Sequence, residues 1–169
     1  MAAQLCANCV RRHKTEPCNV VRPVRLIVRS DTRILPAFLE PLPVVRGEGG
    51  FKVVKTAEAL TPLVGVASAL GESSQRLWLK LPYCEGYARV AGATTLPILL
   101  LGGESAGDPV PFLRQIREAM AAAPNVRGAM VGRNVLYPGA GDPRGVAEAV
   151  GGIIHDGWDL ARAQEHLGR

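Results

Sequence analysis

The chain has 169 residues, 47% of them hydrophobic and 21% charged, with a formal net charge of +5. That balance excludes a disordered protein and supplies enough apolar surface for the core of a single domain. Aromatic residues make up only 5%, against 19 glycines and 13 prolines, so tight turns and an aliphatic core are expected. The longest apolar stretch, around Leu96 to Leu101, is too short to cross a bilayer. Met1 to Lys14 lacks the hydrophobic run of a secretory signal, so the expected compartment is the cytoplasm, with no membrane partner.

The positive charge is localised. Residues 1–33 hold seven basic side chains (Arg11, Arg12, Lys14, Arg22, Arg25, Arg29 and Arg33) against Glu16 and Asp31. Residues 34–169 hold thirteen basic and thirteen acidic side chains, and an electroneutral body argues against a nucleic-acid surface. The head also carries Cys6, Cys9 and Cys18, with His13 among them. This set of three thiolates and an imidazole is sufficient for tetrahedral zinc. It resembles a retroviral-type zinc knuckle, yet the gap before the histidine is one residue short and no glycine or aromatic lies inside. A loose extension without metal is the expectation. Pro23 interrupts any long helix over 20–33, and the composition change near Ile34 marks a junction with a folded body over 34–169.

From Ile34 onward, short apolar runs alternate with helical patterns. Ile34–Leu39 reads as a strand, followed by a loop containing Gly47, Gly49 and Gly50 and a helix over Ala57–Leu70 closed by Gly71. The second strand is Arg76–Leu81, stopped by Pro82, after which Tyr83, Tyr87, Val90 and Ala91 share one helical face. Leu96–Leu101 is the third strand, halted by Gly102 and Gly103. Asp108 and Pro109 then form a helix start, with Phe112, Leu113, Ile116 and Met120 as its apolar stripe. Gly128–Val131 is the fourth strand and runs into Gly132, Arg133 and Asn134. Asp142 and Pro143 repeat the cap, and Val146, Val150, Ile153 and Ile154 form a second stripe.

The two segments Ala-Gly-Asp-Pro, at 106–109 and 140–143, are identical and lie 34 residues apart. Repetition at this period is what successive βα units give, and continuous apolar strands point to a parallel sheet. The fold class is α/β. About four units amount to half of a (β/α)8 barrel, with an open doubly wound sheet as the competitor. Glycine pairs after the third and last strands, rather than after the first, match a barrel's phosphate site. The body therefore reads as the C-terminal half of a TIM barrel.

Lys80 is the most informative residue. Leu77, Leu79 and Leu81 share one face of their strand, and Trp78 and Lys80 the other, which would point into a barrel. Desolvation among Trp, Leu and Pro favours a neutral amine, which can attack a carbonyl to form a Schiff base. A barrel-lining lysine that binds phosphate or pairs with a carboxylate fits the spacing equally well.

The runs LWLKLPY, LPILLLGGES and GAMVGRNVLY resemble the last three strands of class I aldolases. The resemblance covers roughly Leu35 to Asp156. The nearest type is the bacterial fructose-bisphosphate, tagatose-bisphosphate and deoxyribose-phosphate group, including a branch found among inositol-catabolism genes. It implies that Lys80 is the Schiff-base lysine of the sixth strand. The family's Gly-Gly matches Gly102 and Gly103, and its Gly-Arg-Asn matches Gly132, Arg133 and Asn134. Physics supports a phosphate here: the glycines let backbone N–H groups approach an anion, a helical turn after Gly132 aims its positive end, and Arg133 adds a donor fork. Glycines that merely close tight βα turns are the plainer alternative.

Glu40, at the end of the first strand, is the only carboxylate on the strands themselves. It is a candidate general acid/base or a partner for Lys80, with an arginine-paired or solvated loop residue as the alternative. Tyr83 is a further candidate proton donor. Cys84 reads as buried filler and His155 as a cation suited to a helix C-terminus. The family's early strands supply an acidic residue and a second lysine that map onto nothing here. The expected function is a class I aldolase-type lyase acting on a phosphorylated sugar or sugar acid, in inositol or other carbohydrate catabolism, with no cofactor. The alternative is a non-catalytic or incomplete sugar-phosphate-binding half-barrel. A half-barrel leaves open edges, so a homo-oligomer or the missing half is the expected partner.

Overall fold

The computed structural model of the chain describes residues 3–5, 35–48, 50–70 and 73–168. The metal candidates Cys6, Cys9, His13 and Cys18, together with Ile34, Gly49 and Gly71, lie outside the described residues. The chain divides into two compact units, one ending at Ile98 and the other starting at Leu99.

The first unit is built on parallel strands. Strand β1, Ala3–Leu5, runs parallel to β2, Ala37–Leu39, with Ala3 opposite Ala37 and Leu5 opposite Leu39. Three residues of the basic head thus take part in the sheet, although the composition sets the whole head apart from the fold. An antiparallel hairpin follows, β3 over Val44–Gly47 and β4 over Gly50–Val53, where the glycine-rich sequence reads as loop. Gly50, at φ 113°, takes a conformation that side chains disfavour, which is why glycine serves the turn. Helix α1, Ala57–Ser68, starts at Thr56, whose hydroxyl accepts from the Ala59 N–H. It ends two residues before the predicted stop.

Strand β5, Leu77–Pro82, lies parallel to β2, with Ala37 opposite Leu77 and Leu39 opposite Leu79. Leu77, Leu79 and Leu81 are fully buried, together with Leu60 and Val64 of α1. The alternation predicted for β5 is therefore real: one face is aliphatic core, and burying it supplies about 25 cal/mol per Å² of apolar surface. Helix α2 spans only Tyr87–Ala91, because Gly86, at φ 69°, begins the helix four residues later than the pattern suggests. Tyr87 is buried and stacked on Tyr83 at 5.6 Å between ring centroids. Its hydroxyl has no hydrogen-bond partner among the described residues. Burial, and secondarily the nearby Cys84 thiol, pushes the Tyr87 phenol well above its ordinary range. Burial likewise pushes the Cys84 thiol up, with Glu58 adding to the shift.

The second unit opens with β6, Ile98–Leu101, followed by helix α3 over Val110–Ala122 and strand β7 over Val126–Met130. A four-residue helix α4, Arg133–Leu136, precedes α5, Pro143–His155, and α6, Leu160–Gln164. The expected cap forms at Asp142, whereas α3 starts one residue later than expected, with Pro109 rather than Asp108 at its N-cap and Asp108 accepting from the first helical N–H. The Val110 N–H donates to Asp108 Oδ1 at 2.9 Å, and the Arg144 N–H donates to Asp142 Oδ1 at 3.2 Å. Phe112, Leu113 and Ile116 are buried as expected, but Ala119 rather than Met120 completes the stripe. Val146, Val150 and Ile153 are buried on α5, and Ile154 is half-buried. His155 ends α5 in its last turn and is exposed.

The end of the second unit is fastened by Trp158. Its ring occupies the space a side chain at Gly152 would need. His166 stacks on that ring at 4.5 Å, and the Arg162 guanidinium lies 4.6 Å from its centre. No helix among the described residues is long and apolar enough to cross a membrane.

Two outcomes follow from this packing. Gly152→Ala should lower stability by about 1 to 3 kcal/mol, because the new methyl displaces the Trp158 ring. An unchanged urea midpoint would show that Trp158 does not sit against Gly152. Tyr87→Phe should raise stability by about 1 kcal/mol, since it removes a buried hydroxyl without a partner. Because folding raises the Tyr87 phenol above its unfolded value near 10, that group favours the folded state below this pH and ceases to do so as pH climbs through the folded value. Tyr87→Phe should therefore also shrink the stability lost between pH 9 and pH 11, as read by urea titration.

Candidate active site

Lys80 and Glu40 come together. The parallel register of β2 on β5 sets Phe38 opposite Trp78 and Leu39 opposite Leu79, so the next pair in line is Glu40 and Lys80. Lys80 Nζ donates to Glu40 Oε2 at 3.1 Å. Lys80 is 7% exposed and the Glu40 side chain 5% exposed, so the pair is buried rather than a surface bridge. Of the alternatives open for Glu40, the structure supplies the lysine partner. Phe38 and Trp78 lie on the same face, their rings 5.9 Å apart and tilted by 42°, so the ion pair has an aromatic neighbourhood on one side. A buried pair of this kind needs both members, because removing one leaves an uncompensated charge costing about 3 to 5 kcal/mol.

Tyr83 lies in the loop after β5 and packs on Tyr87. Cys84 is buried beside them and free of any disulfide. The described residues contain no group of His, Cys, Asp and Glu arranged to hold a metal ion.

The four phosphate candidates belong to the second unit, in the loops that follow β6 and β7. Gly102 stands against Val131, where a side chain would come within 3.1 Å of Val131 Cγ1. Gly103, at φ 73°, faces open space and has the backbone freedom that a close approach requires. Gly132 immediately precedes α4, so the helical turn expected after it is present. Arg133 is exposed, and its Nη1 lies 3.4 Å from Glu104 Oε1. The expected donor fork is thus facing a carboxylate of the Gly-Gly loop.

Sequence reasoning did not single out Asn134 for a role of its own. It is 5% exposed, and its Nδ2 donates to the Gly102 carbonyl. Its place in the Gly-Arg-Asn run and its polarity amid buried neighbours were the available signals. A second tie runs from the Ser105 hydroxyl to the Tyr137 carbonyl. Glycine at 139 allows that backbone to come against Gly107, where a side chain would collide. The two loops are fastened to each other along their length.

The sequence matches the Cgl0159-like family over residues 15–152, a span that begins inside the basic head. An uncharacterized aldolase of Saccharolobus solfataricus is 30% identical over 136 residues, which is 79% of this chain and 46% of that protein. A 2-amino-3,7-dideoxy-D-threo-hept-6-ulosonate synthase of Archaeoglobus fulgidus is 27% identical over 111 residues, covering 66% of this chain and 41% of that one. Among solved structures, Cgl0159 from Corynebacterium glutamicum aligns with a TM-score of 0.76 at 31% identity, covering 82% of this chain and 46% of that chain. An archaeal fructose 1,6-bisphosphate aldolase aligns with a TM-score of 0.64 at 22% identity over 81% of this chain and 52% of that one, a likeness of fold. The chain spans about half the length of the curated relatives it matches. With a parallel α/β fold like that of an aldolase and a family match over most of its length, the chain belongs to the Cgl0159-like family.

Proposed function

We propose that this chain carries the lysine and the phosphate loops of a class I aldolase-type lyase, and that it corresponds to the C-terminal half of a (β/α)8 barrel working in the cytoplasm. The observation that carries the reading is the buried pair of Lys80, on β5, and Glu40, directly after the neighbouring parallel strand β2. Kinship with an aldolase at 30% identity supports the reaction class. The half-barrel reading draws support from coverage of 46% of that relative and 46% of the Corynebacterium protein. The substrate class is a phosphorylated sugar or sugar acid. A completed site would come from a second copy or from a chain supplying the other half.

In this reading Glu40 takes a proton from Lys80 Nζ, which frees the nitrogen lone pair. The amine adds to the substrate carbonyl carbon, the oxygen takes up a proton, and loss of water leaves an iminium. Deprotonation of the β-hydroxyl then breaks the carbon–carbon bond. Its electrons pass into the iminium, giving an enamine and releasing an aldehyde. Backbone N–H groups at Gly102, Gly103 and Gly132, with Arg133, hold the phosphate.

A second reading keeps the phosphate loops without turnover, and it rests on the half-length coverage of the relatives. Borohydride separates the two. The 169-residue chain, treated with dihydroxyacetone phosphate and borohydride, should gain one adduct, placed on Lys80 by mass spectrometry. Lys80→Arg should abolish it, because a guanidinium stays protonated and cannot form the imine. An adduct on Lys52 or Lys55 would sink the assignment, and phosphate binding without any adduct would favour the second reading. Glu40→Gln should slow trapping on the order of a hundredfold while Lys80 remains the labelled residue. Trapping at the parent rate would remove Glu40 from the mechanism.

A further inference from the structure

Asn134 sits where it can decide which way a peptide plane faces. The carbonyl of Gly102 and the N–H of Gly103 belong to one planar trans peptide, so they point in opposite directions. The Asn134 Nδ2 donates to that carbonyl from a buried position. Gly103 has φ 73° and open space where a side chain would stand. Glycine on both sides of the peptide leaves little local resistance to rotation, so an outside contact must fix the orientation.

We propose that Asn134 is a positioning residue for anion binding: by holding the Gly102 carbonyl, it turns the Gly103 N–H to the opposite side as a donor for a substrate phosphate. The inference rests on the phosphate reading of these loops and deepens it. Asn134 does not touch the anion. It acts through the Gly102–Gly103 peptide, which without it can rotate and present a carbonyl oxygen to a negative charge. The remaining ties hold the same two loops at a fixed separation. Asn134 to Gly102 and Ser105 to Tyr137 both span 32 residues, and Arg133 meets Glu104 across 29. The side chain chosen also fits the task. Aspartate has nearly the same shape but no N–H, and its carboxylate would repel the carbonyl it must hold.

The test uses sulfate, which stays a dianion across the pH range needed, with the full chain and Asn134→Asp. In the parent, sulfate should shift the backbone amide resonance of Gly103. Asn134→Asp should weaken sulfate binding about tenfold at pH 8, the loss of one hydrogen bond to a charged group. At pH 5 a buried carboxyl protonates and regains a donor, so the parent-to-variant ratio should narrow. Parent-like affinity in Asn134→Asp at pH 8 would overturn the positioning role alone. So would a parent in which sulfate shifts other loop amides but leaves Gly103 unmoved, a measurement that holds even if the variant folds poorly. A parent that binds neither sulfate nor phosphate overturns the phosphate reading and this inference together.

Discussion

The buried contact between Lys80 and Glu40 constrains the first unit more than any other interaction. Neither charge tolerates burial alone, so the pair exists only while β2 and β5 keep the register that places residue 40 beside residue 80. A slip of one residue would swing Glu40 toward the aliphatic side, where Leu39, Leu77 and Leu79 are buried. The leucine face and the ion pair therefore enforce the same alignment from opposite sides of the sheet. The hairpin β3–β4 and helix α1 supply the crossover between the two parallel strands, and α1 adds Leu60 and Val64 to the buried side.

The second unit meets a different problem: it must hold two glycine-rich loops in one arrangement. Glycine permits the close approaches but specifies nothing. Specificity comes from side chains that reach across, Asn134 to Gly102 and Ser105 to Tyr137. These ties pair residues 32 apart, whereas the capping aspartates Asp108 and Asp142 stand 34 apart. Two additional residues after the second loop absorb the difference. Each helix can thus start at its own Asp-Pro pair without disturbing the alignment of the loops. The identical sequence segments mark where helices begin, and the loop register is a separate property.

That separation explains what could be read in the sequence and what could not. Strict alternation in LWLKL exposed the two faces of β5, and Asp-Pro exposed two helix starts, because each signal depends on residues close in the chain. The pairing of Glu40 with Lys80 was one of several open alternatives, since only the β2–β5 register decides it. The hairpin was missed because Gly47, Gly49 and Gly50 read as loop, although Val44, Val45, Phe51 and Val53 flank the turn as strand formers. Ala119 took the place expected of Met120 because the position of a residue within a stripe depends on the facing surface as well as on periodicity. The Gly-Arg-Asn run marked Asn134, but its partner was hidden for a similar reason. Its partner is a backbone carbonyl far away in the chain, and no pattern of side chains announces such a bond.

The chemistry divides along the same lines as the structure. In the proposed reaction imine formation needs one amine and one proton acceptor, and the candidates, Lys80 on β5 and Glu40 directly after β2, both lie in the first unit. Holding a phosphate needs oriented N–H groups and a cation, and the candidates for these lie in loops of the second. The candidate lysine is placed by sheet register, which is rigid because a one-residue slip would disrupt a whole buried face. The candidate anion-binding loops are placed by side-chain ties on glycine backbone, which can adapt at the cost of a few hydrogen bonds. Under the proposed aldolase reading, such a division suits a lysine that must be fixed while the phosphate-bearing end varies among substrates. Under the same reading, change in substrate preference should arise in the loops after β6 and β7, and the Lys80–Glu40 pair should resist loss of either charge, because that leaves the other buried without its partner.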